Sequence, residues 1–251
     1  MNKRIGAQCY TIRDFIKNEE DLDKSLEKLK NIGYQTVQIS GIGPIEPETV
    51  KNLCDKHGLE VICTHKGQDD YLNRLEETIR YHKIIGCKIA GIGSIGNYDK
   101  SADGYRKFVR DFTPVSQRLR EEGITFAYHN HAFDFIKENG EYLLDIILNE
   151  SDFDLILDVY WVAFSGIDPA KLIRKIGSRA RILHFKDLKC NKENKTEMAE
   201  VMNGNLDWDS IIAACEESGC QAAMVEQDTC SGDPFDSLKI SYQHLTTKGF
   251  C

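Results

Sequence analysis

Short apolar runs alternate with longer segments of helical periodicity along the whole chain. The run Ile5–Thr11 predicts a first strand; Leu22, Leu26 and Leu29 then recur at helical spacing over Asp21–Ile32, with Gly33 as the stop. The alternation continues with strands at Thr36–Ser40, Glu60–Thr64 and Lys88–Ile92. Helices at Pro47–His57, Tyr71–Ile85 and Tyr105–Glu122 follow them, and Gly58, Gly86 and Gly123 stand behind these helices. The second half repeats the pattern with strands Thr125–His131, Asp154–Asp158, Arg181–Phe185 and Ala222–Glu226. Its helices are expected near Tyr142–Asn149, from Pro169 with Asp168 as cap, at Trp208–Ser218 and at Asp236–Thr247. Eight strands alternating with eight helices predict an α/β fold, a parallel eight-stranded (β/α)8 TIM barrel rather than an open doubly wound sheet. No linker or low-complexity tract divides the series, so residues 1–251 read as a single domain.

Composition narrows the class of function. The formal net charge is −8 and the charges of both signs are interspersed, which disfavours nucleic acid and anionic membranes as partners. No apolar stretch is long enough to span a bilayer, and the basic N-terminus lacks the apolar region of a signal peptide, so a cytoplasmic enzyme is expected. The nine cysteines have neither C-x-x-C spacing nor an even count, and Cys63 and Cys87 lie in apolar strands. Reduced, buried thiols fit this pattern better than disulfides or a zinc-thiolate site.

Barrels of this kind carry their functional groups at the C-terminal strand ends. There the chain places Gln8, Tyr10 and Arg13 after the first strand and His65-Lys66 after the third. His129-Asn130-His131 end the fifth, Asp158 the sixth, His184 with Lys186-Asp187 the seventh, and Glu226-Gln227-Asp228 the eighth. Four of the seven histidines fall at strand ends, and His57, His82 and His244 read as helical surface positions. Taken singly, Asp158 reads as a turn or cap residue, His184 as a hydrogen-bonded core histidine and Lys186-Asp187 as a solvated ion pair. Together they indicate a mixed nitrogen and oxygen metal site at one mouth of the barrel. The segment Gly91–Gly96 matches G-x-G-x-x-G, but turn-forming Asn97-Tyr98-Asp99 follows where a dinucleotide site needs a helix. It is expected to be a flexible loop over the barrel mouth.

Several segments resemble the xylose-isomerase-like sugar phosphate isomerase/epimerase family over essentially the whole chain. They are Gly6-Ala7-Gln8-Cys9-Tyr10-Thr11, Gly33-Tyr34-Gln35-Thr36-Val37-Gln38 and Tyr128-His129-Asn130-His131-Ala132-Phe133-Asp134-Phe135. Leu157-Asp158-Val159-Tyr160-Trp161, His184-Phe185-Lys186-Asp187 and Gly204-Asn205-Leu206-Asp207-Trp208 complete the set. The third is similar to a YHNHxFEF motif of one branch, and Glu226-Gln227-Asp228 is similar to inosose dehydratases. The resemblance implies one divalent ion (Mn, Co, Mg or Zn) held by Asp158, His184 and Glu226. Where the family has a strand-5 glutamate this chain has His129, a candidate fourth ligand, so a two-carboxylate acid–base pair is in doubt.

The expected activity is a metal-dependent sugar, keto-sugar or inosose isomerase or epimerase working by proton transfer through a metal-stabilised enediolate. Glu226 and His131 are the candidate bases and Lys186 the oxyanion partner. Tyr10, His65, Asp134 and Trp161 are the candidate substrate contacts. The alternatives are an inosose-type dehydratase or a non-catalytic carbohydrate-binding subunit; an endonuclease-IV-like phosphodiesterase is disfavoured by the acidic charge. The expected partner is a small sugar or polyol, and a homo-oligomer is compatible with the sequence.

Overall fold

The computed structural model describes residues 3–251. Eight parallel strands close into a barrel: β1 (Ile5–Gln8), β2 (Thr36–Ile39), β3 (Glu60–Lys66), β4 (Ile89–Ile92), β5 (Thr125–His129), β6 (Asp154–Asp158), β7 (Ala180–Phe185) and β8 (Ala222–Val225). Their order around the wall is β1-β8-β7-β6-β5-β4-β3-β2, so each strand pairs with its sequence neighbours and β8 closes on β1. The outer helices are α1 (Glu19–Ile32), α2 (Pro47–His57), α3 (Leu75–Ile85), α4 (Ala102–Glu121), α5 (Leu143–Glu150), α6 (Pro169–Ile176), α7 (Trp208–Ser218) and α8 (Pro234–Thr247). The expected fold class is the observed one.

Local chemistry sets the helix ends. Asn18, Ser101, Asp168, Asp207 and Asp233 accept backbone N–H bonds as side-chain caps. Gly58 ends α2 at φ 61°, a conformation that costs a side chain about 1 kcal/mol or more. The largest buried aromatic side chains belong to the main core cluster, which joins strand and helix residues. Phe108 stacks on Phe112 with ring centroids 4.4 Å apart, and Phe126 meets Phe153 edge-on at 5.0 Å.

Period-two alternation along the strands sorts the barrel interior into layers. Towards the N-terminal end it is filled by a separate apolar cluster that includes Cys63, Ile89, Ala127, Ile156, Ile182 and Met224. Two residues further along, the same inward positions are His65, Gly91, His129, Asp158, His184 and Glu226. An apolar plug thus underlies a polar floor. Gly91 holds its position because a Cβ there would stand 2.3 Å from the Thr64 carbonyl oxygen. All nine cysteines are free thiols, and Cys63 and Cys87 are buried as expected.

The structure departs from the expected pattern mainly just after strands. The first strand ends at Gln8, whose side chain accepts from the Tyr10 N–H and starts a 3-10 turn over Cys9–Phe15. The third helix is split into Gln68–Leu72 and α3, with Asp69 holding both the backbone and the side-chain amide of Asn73 at the break. His82 is not a surface residue. It is buried, with Nε2 2.7 Å from Thr64 Oγ1 and Nδ1 2.7 Å from the Thr78 carbonyl, and burial lowers its pKa to about 4.

Asp187 is no solvated partner of Lys186 either, because consecutive residues face opposite sides of a strand. Its buried carboxylate accepts from the backbone N–H groups of Leu188, Met202, Gly204 and Leu206 and from Trp208 Nε1. It therefore gathers the loop between a hairpin (Asp187–Cys190 with Thr196–Ala199) and α7. Asp187→Ala leaves these donors without acceptors, and each buried orphan costs about 1–3 kcal/mol unless water replaces it. The expected loss is about 2–4 kcal/mol in urea unfolding; a change under 0.5 kcal/mol would refute this role for the carboxylate.

Candidate active site

The polar floor opens into a cavity of about 590 Å³ whose wall includes Tyr10, His65, His129, His131, Lys186 and Glu226. His129, Asp158, His184 and Glu226 are buried, and each offers one ligand atom within 4.8 Å of the others. Strands β5 to β8 are neighbours, so the four groups come from four adjacent strand ends. This group could hold a metal ion.

The hydrogen bonds around the two histidines bear on what they can bind. His184 Nε2 lies 2.9 Å from Gln38 Oε1 and donates to it, because a carbonyl oxygen only accepts. His129 Nδ1 likewise lies 2.9 Å from the Gly93 carbonyl. Each ring thus has one nitrogen tied outside the cluster and the other aimed into it, the arrangement by which outer partners orient metal-binding imidazoles. Burial lowers the His184 pKa despite Glu226, so the ring is neutral and its Nδ1 carries a lone pair. That Nδ1 stands 2.8 Å from Glu226 Oε2 without a hydrogen bond. Glu226 Oε2 already has the Lys186 ammonium 2.8 Å away, so of the two atoms it is His184 Nδ1 that has a free lone pair. The donor set fits a divalent ion.

Lys186 supplies one positive charge to the same place. Its Nζ is 2.9 Å from Asp158 Oδ2, 2.8 Å from Glu226 Oε2 and 3.1 Å from Asp228 Oδ2. Burial alone works against the ammonium, but Asp158, Glu226 and Asp228 outweigh it and raise its pKa. Burial also works against the Asp158 and Glu226 carboxylates, yet Lys186 and the histidines hold both below the usual range. Asp228 moves the other way, its pKa raised by burial and by Glu226. His129 titrates above the ordinary imidazole value; burial disfavours its charged form, and Asp158 overcomes this.

His131 stands beside the cluster. Its ring lies flat on Phe133 at 5.2 Å, its Nδ1 has no hydrogen-bond partner, and burial and His129 lower its pKa to about 3. It is a neutral base facing the cavity. His65 lines the wall with its Nε2 unpartnered, and burial holds it neutral. Tyr10 lines the outer wall, 39% exposed. Trp161 stands behind the wall, its ring 5.5 Å from that of His131 and 5.6 Å from Lys186 Nζ, with a buried Nε1 that has no partner.

Asp134 requires a correction: it makes no wall of the cavity and has no oxygen free for a substrate hydroxyl. It is fully buried, with Oδ1 accepting from the Tyr105 and Tyr128 hydroxyls, each at 2.5 Å, and Oδ2 accepting from the His131 N–H at 2.5 Å. Burial raises its pKa to about 6 against these donors. Its role in this geometry is to hold the backbone of His131. The Gly91–Gly96 segment lines the cavity with Gly93 and Gly96 and precedes α4 by several residues, so no helix opens within it. By sequence Asp228 falls at the end of the eighth strand and Gln38 in a family-like segment, with no role given to either. Gln38 is a long polar side chain at an inward position of a short buried strand, which is a signal legible in the sequence.

Among the described residues, the buried side-chain atoms without a hydrogen-bond partner are Gln8 Nε2, Gln38 Nε2, His65 Nε2, His131 Nδ1, Trp161 Nε1, His184 Nδ1 and Glu226 Oε2, the last of which has the Lys186 ammonium beside it. All belong to this end of the barrel. Among the described residues, buried side-chain nitrogen and oxygen atoms elsewhere have partners, so unmet hydrogen-bonding capacity is concentrated in this site.

Residues 26–246 match the xylose isomerase-like TIM barrel family. The chain belongs to that family. Among curated relatives, the inosose dehydratase of Lacticaseibacillus casei is 22% identical over 268 aligned positions, covering 90% of this chain and 89% of the relative. Among solved structures, a sugar phosphate isomerase/epimerase from Parabacteroides distasonis superposes with a TM-score of 0.81 at 20% identity, covering 100% of this chain and 96% of that one. An L-ribulose 3-epimerase gives 0.73 at 14% identity, with 98% and 96% covered. At these identities the structural likeness is one of fold. The curated relative is named a dehydratase, and the two structural neighbours are named an isomerase/epimerase and an epimerase. Among the described residues no helix is long and apolar enough to cross a membrane.

Proposed function

We propose that this protein is a metal-dependent isomerase or epimerase of a keto-sugar or ketocyclitol, acting by proton transfer at the carbon beside a carbonyl. The observation that carries the reading is the buried convergence of His129, Asp158, His184 and Glu226, each with one ligand atom within 4.8 Å of the others. Those four residues would hold the ion, and two imidazoles favour Mn, Co or Zn over Mg. A bound divalent ion supplies a Lewis acid that acidifies the neighbouring C–H.

The protein's own groups supply the rest. His131, neutral and lining the cavity, accepts the proton from carbon through a ring nitrogen and returns it. Lys186, fixed by carboxylates, offsets the negative charge that develops on the substrate oxygen. His65 and Tyr10 line the space where hydroxyls would lie. The histidine at position 129 leaves Glu226 without a strand-5 carboxylate opposite it, which favours one-base proton return over a two-carboxylate exchange.

A second reading, dehydration, is favoured by Asp228. It lines the cavity, its pKa is raised, and it can protonate a departing hydroxyl. The Mn-loaded protein, incubated with inosose and with ketoses in deuterated water and followed by NMR, separates the readings. Deuterium at the carbon beside the carbonyl, with the carbon skeleton and its oxygens retained, is expected. Loss of water to an unsaturated ketone would make it a dehydratase. Bound sugar with neither result would leave a non-catalytic binder.

A further inference from the structure

His131 lies just past β5, where no strand ladder holds the backbone, yet a base must keep its ring in a fixed place. Behind it sits a closed polar network. Tyr105, in the first turns of α4, and Tyr128, on the outward face of β5, both donate to Asp134 Oδ1 at 2.5 Å. The His131 N–H donates to Asp134 Oδ2 at 2.5 Å. We propose that Tyr105, Tyr128 and Asp134 act as one brace that positions His131, setting the rate of proton transfer without touching the ion or the substrate. This rests on the reading of His131 as the base.

All three side chains are fully buried, and none lines the cavity or belongs to the metal-binding group. Burial and the Asp134 charge push both phenols well above their usual pKa, so the hydroxyls stay donors. Hydrogen bonds to an ionised acceptor are shorter and stronger than neutral ones. A carboxylate that takes three of them on its two oxygens, from three different backbone positions, is held in one orientation.

The turn closes on itself at the same point. The Asp134 N–H donates to the His131 carbonyl at 3.2 Å, so residues 131 and 134 bond reciprocally, much as the acidic residue of a capping box does. Phe133, between them, lies flat against the His131 ring at 5.2 Å, and the Trp161 ring stands 5.5 Å from it. The brace therefore fixes the turn that carries both the base and the ring stacked on it. Tyr128 ties that turn to the barrel wall, and Tyr105 ties it to α4.

Misplacing a reacting group by about 1 Å can cost on the order of 10²-fold in rate. Asp134→Ala removes the acceptor of all three donors, and a loss of about 10–100-fold in proton transfer is expected from it. Asp134→Asn keeps a carbonyl for the His131 N–H while its amide can donate to the tyrosine oxygens, so it should recover part of the rate. Tyr105→Phe removes one donor and leaves the carboxylate in place, and its effect should be the smaller.

The test measures deuterium exchange into inosose and D-fructose by the Mn-loaded protein, with kcat and KM separated and metal content read after dialysis. The histidine ring signals are followed by NMR on Zn-loaded protein carrying isotope-labelled histidine. In Asp134→Ala and Tyr105→Phe, kcat should fall, most in the former, while KM and metal content stay within about threefold of the parent. The His131 ring signals should move in both variants and those of His184 should not. Parental kcat with unmoved His131 signals in both variants would overturn the brace. A loss of metal or a rise in KM as large as the fall in kcat would overturn it too, because that marks a general structural role. If Asp134→Ala does not fold, Tyr105→Phe and Asp134→Asn carry the same comparison. The two readings fail separately: a parent protein that exchanges neither ketone defeats the proposed reaction, and the ring signals alone then decide whether the brace holds His131.

Discussion

Glu226→Gln, Asp158→Asn and His184→Ala are each expected to lose more than ~100-fold in affinity for Mn or Zn while keeping the barrel folded. The size follows from a comparison: outer partners that only orient a ligand are worth about 10–100-fold in metal affinity, so a ligand itself should cost more. Gln38→Leu supplies that lower reference, since Gln38 holds the His184 ring without offering an atom to the ion. Folding should survive because the two carboxylate changes conserve volume. Lys186 also keeps two of its three carboxylate partners when either is neutralised, so no uncompensated charge is left buried. Metal content after dialysis, calorimetric affinity and circular dichroism read the three effects separately. Undiminished metal content in all three variants would remove the ion from this site and the proposed reaction with it.

The legibility of this site from sequence follows from barrel geometry. Period-two alternation and the rule that function sits at the C-terminal strand ends suffice to bring His129, Asp158, His184 and Glu226 together, and those two rules act on the sequence alone. Asp134 was misread because it lies beyond β5, where the chain turns as a 3-10 helix and the alternation no longer applies. There a resemblance in residue type carried no information about direction. His82 was misread for a related reason: it lies on a helix, and its partner Thr64 comes from a strand eighteen positions away, a contact that periodicity within the helix does not report. Gln38 was legible in principle, being polar at an inward position.

His129→Glu and His131→Ala are expected to separate two roles that the sequence places two residues apart. His129 has its Nδ1 fixed to the Gly93 carbonyl and its Nε2 in the cluster, 3.4 Å from Asp158 Oδ2. A glutamate there offers an oxygen in place of that nitrogen, so His129→Glu should keep the ion bound and shift preference towards harder cations such as Mg. His131 is outside the cluster, stacked on Phe133 with a free Nδ1. His131→Ala should therefore leave metal affinity within a fewfold of the parent yet lower deuterium exchange by about 10²–10⁴-fold, the usual worth of a positioned base. Loss of metal in His131→Ala would make that histidine a ligand. A full exchange rate in His131→Ala would move the base to Glu226. The two readouts are independent, because an ion can be held without turnover but the proposed chemistry cannot proceed without the ion. A variant with bound metal and no exchange would locate the proton transfer at His131 rather than in the ligand set.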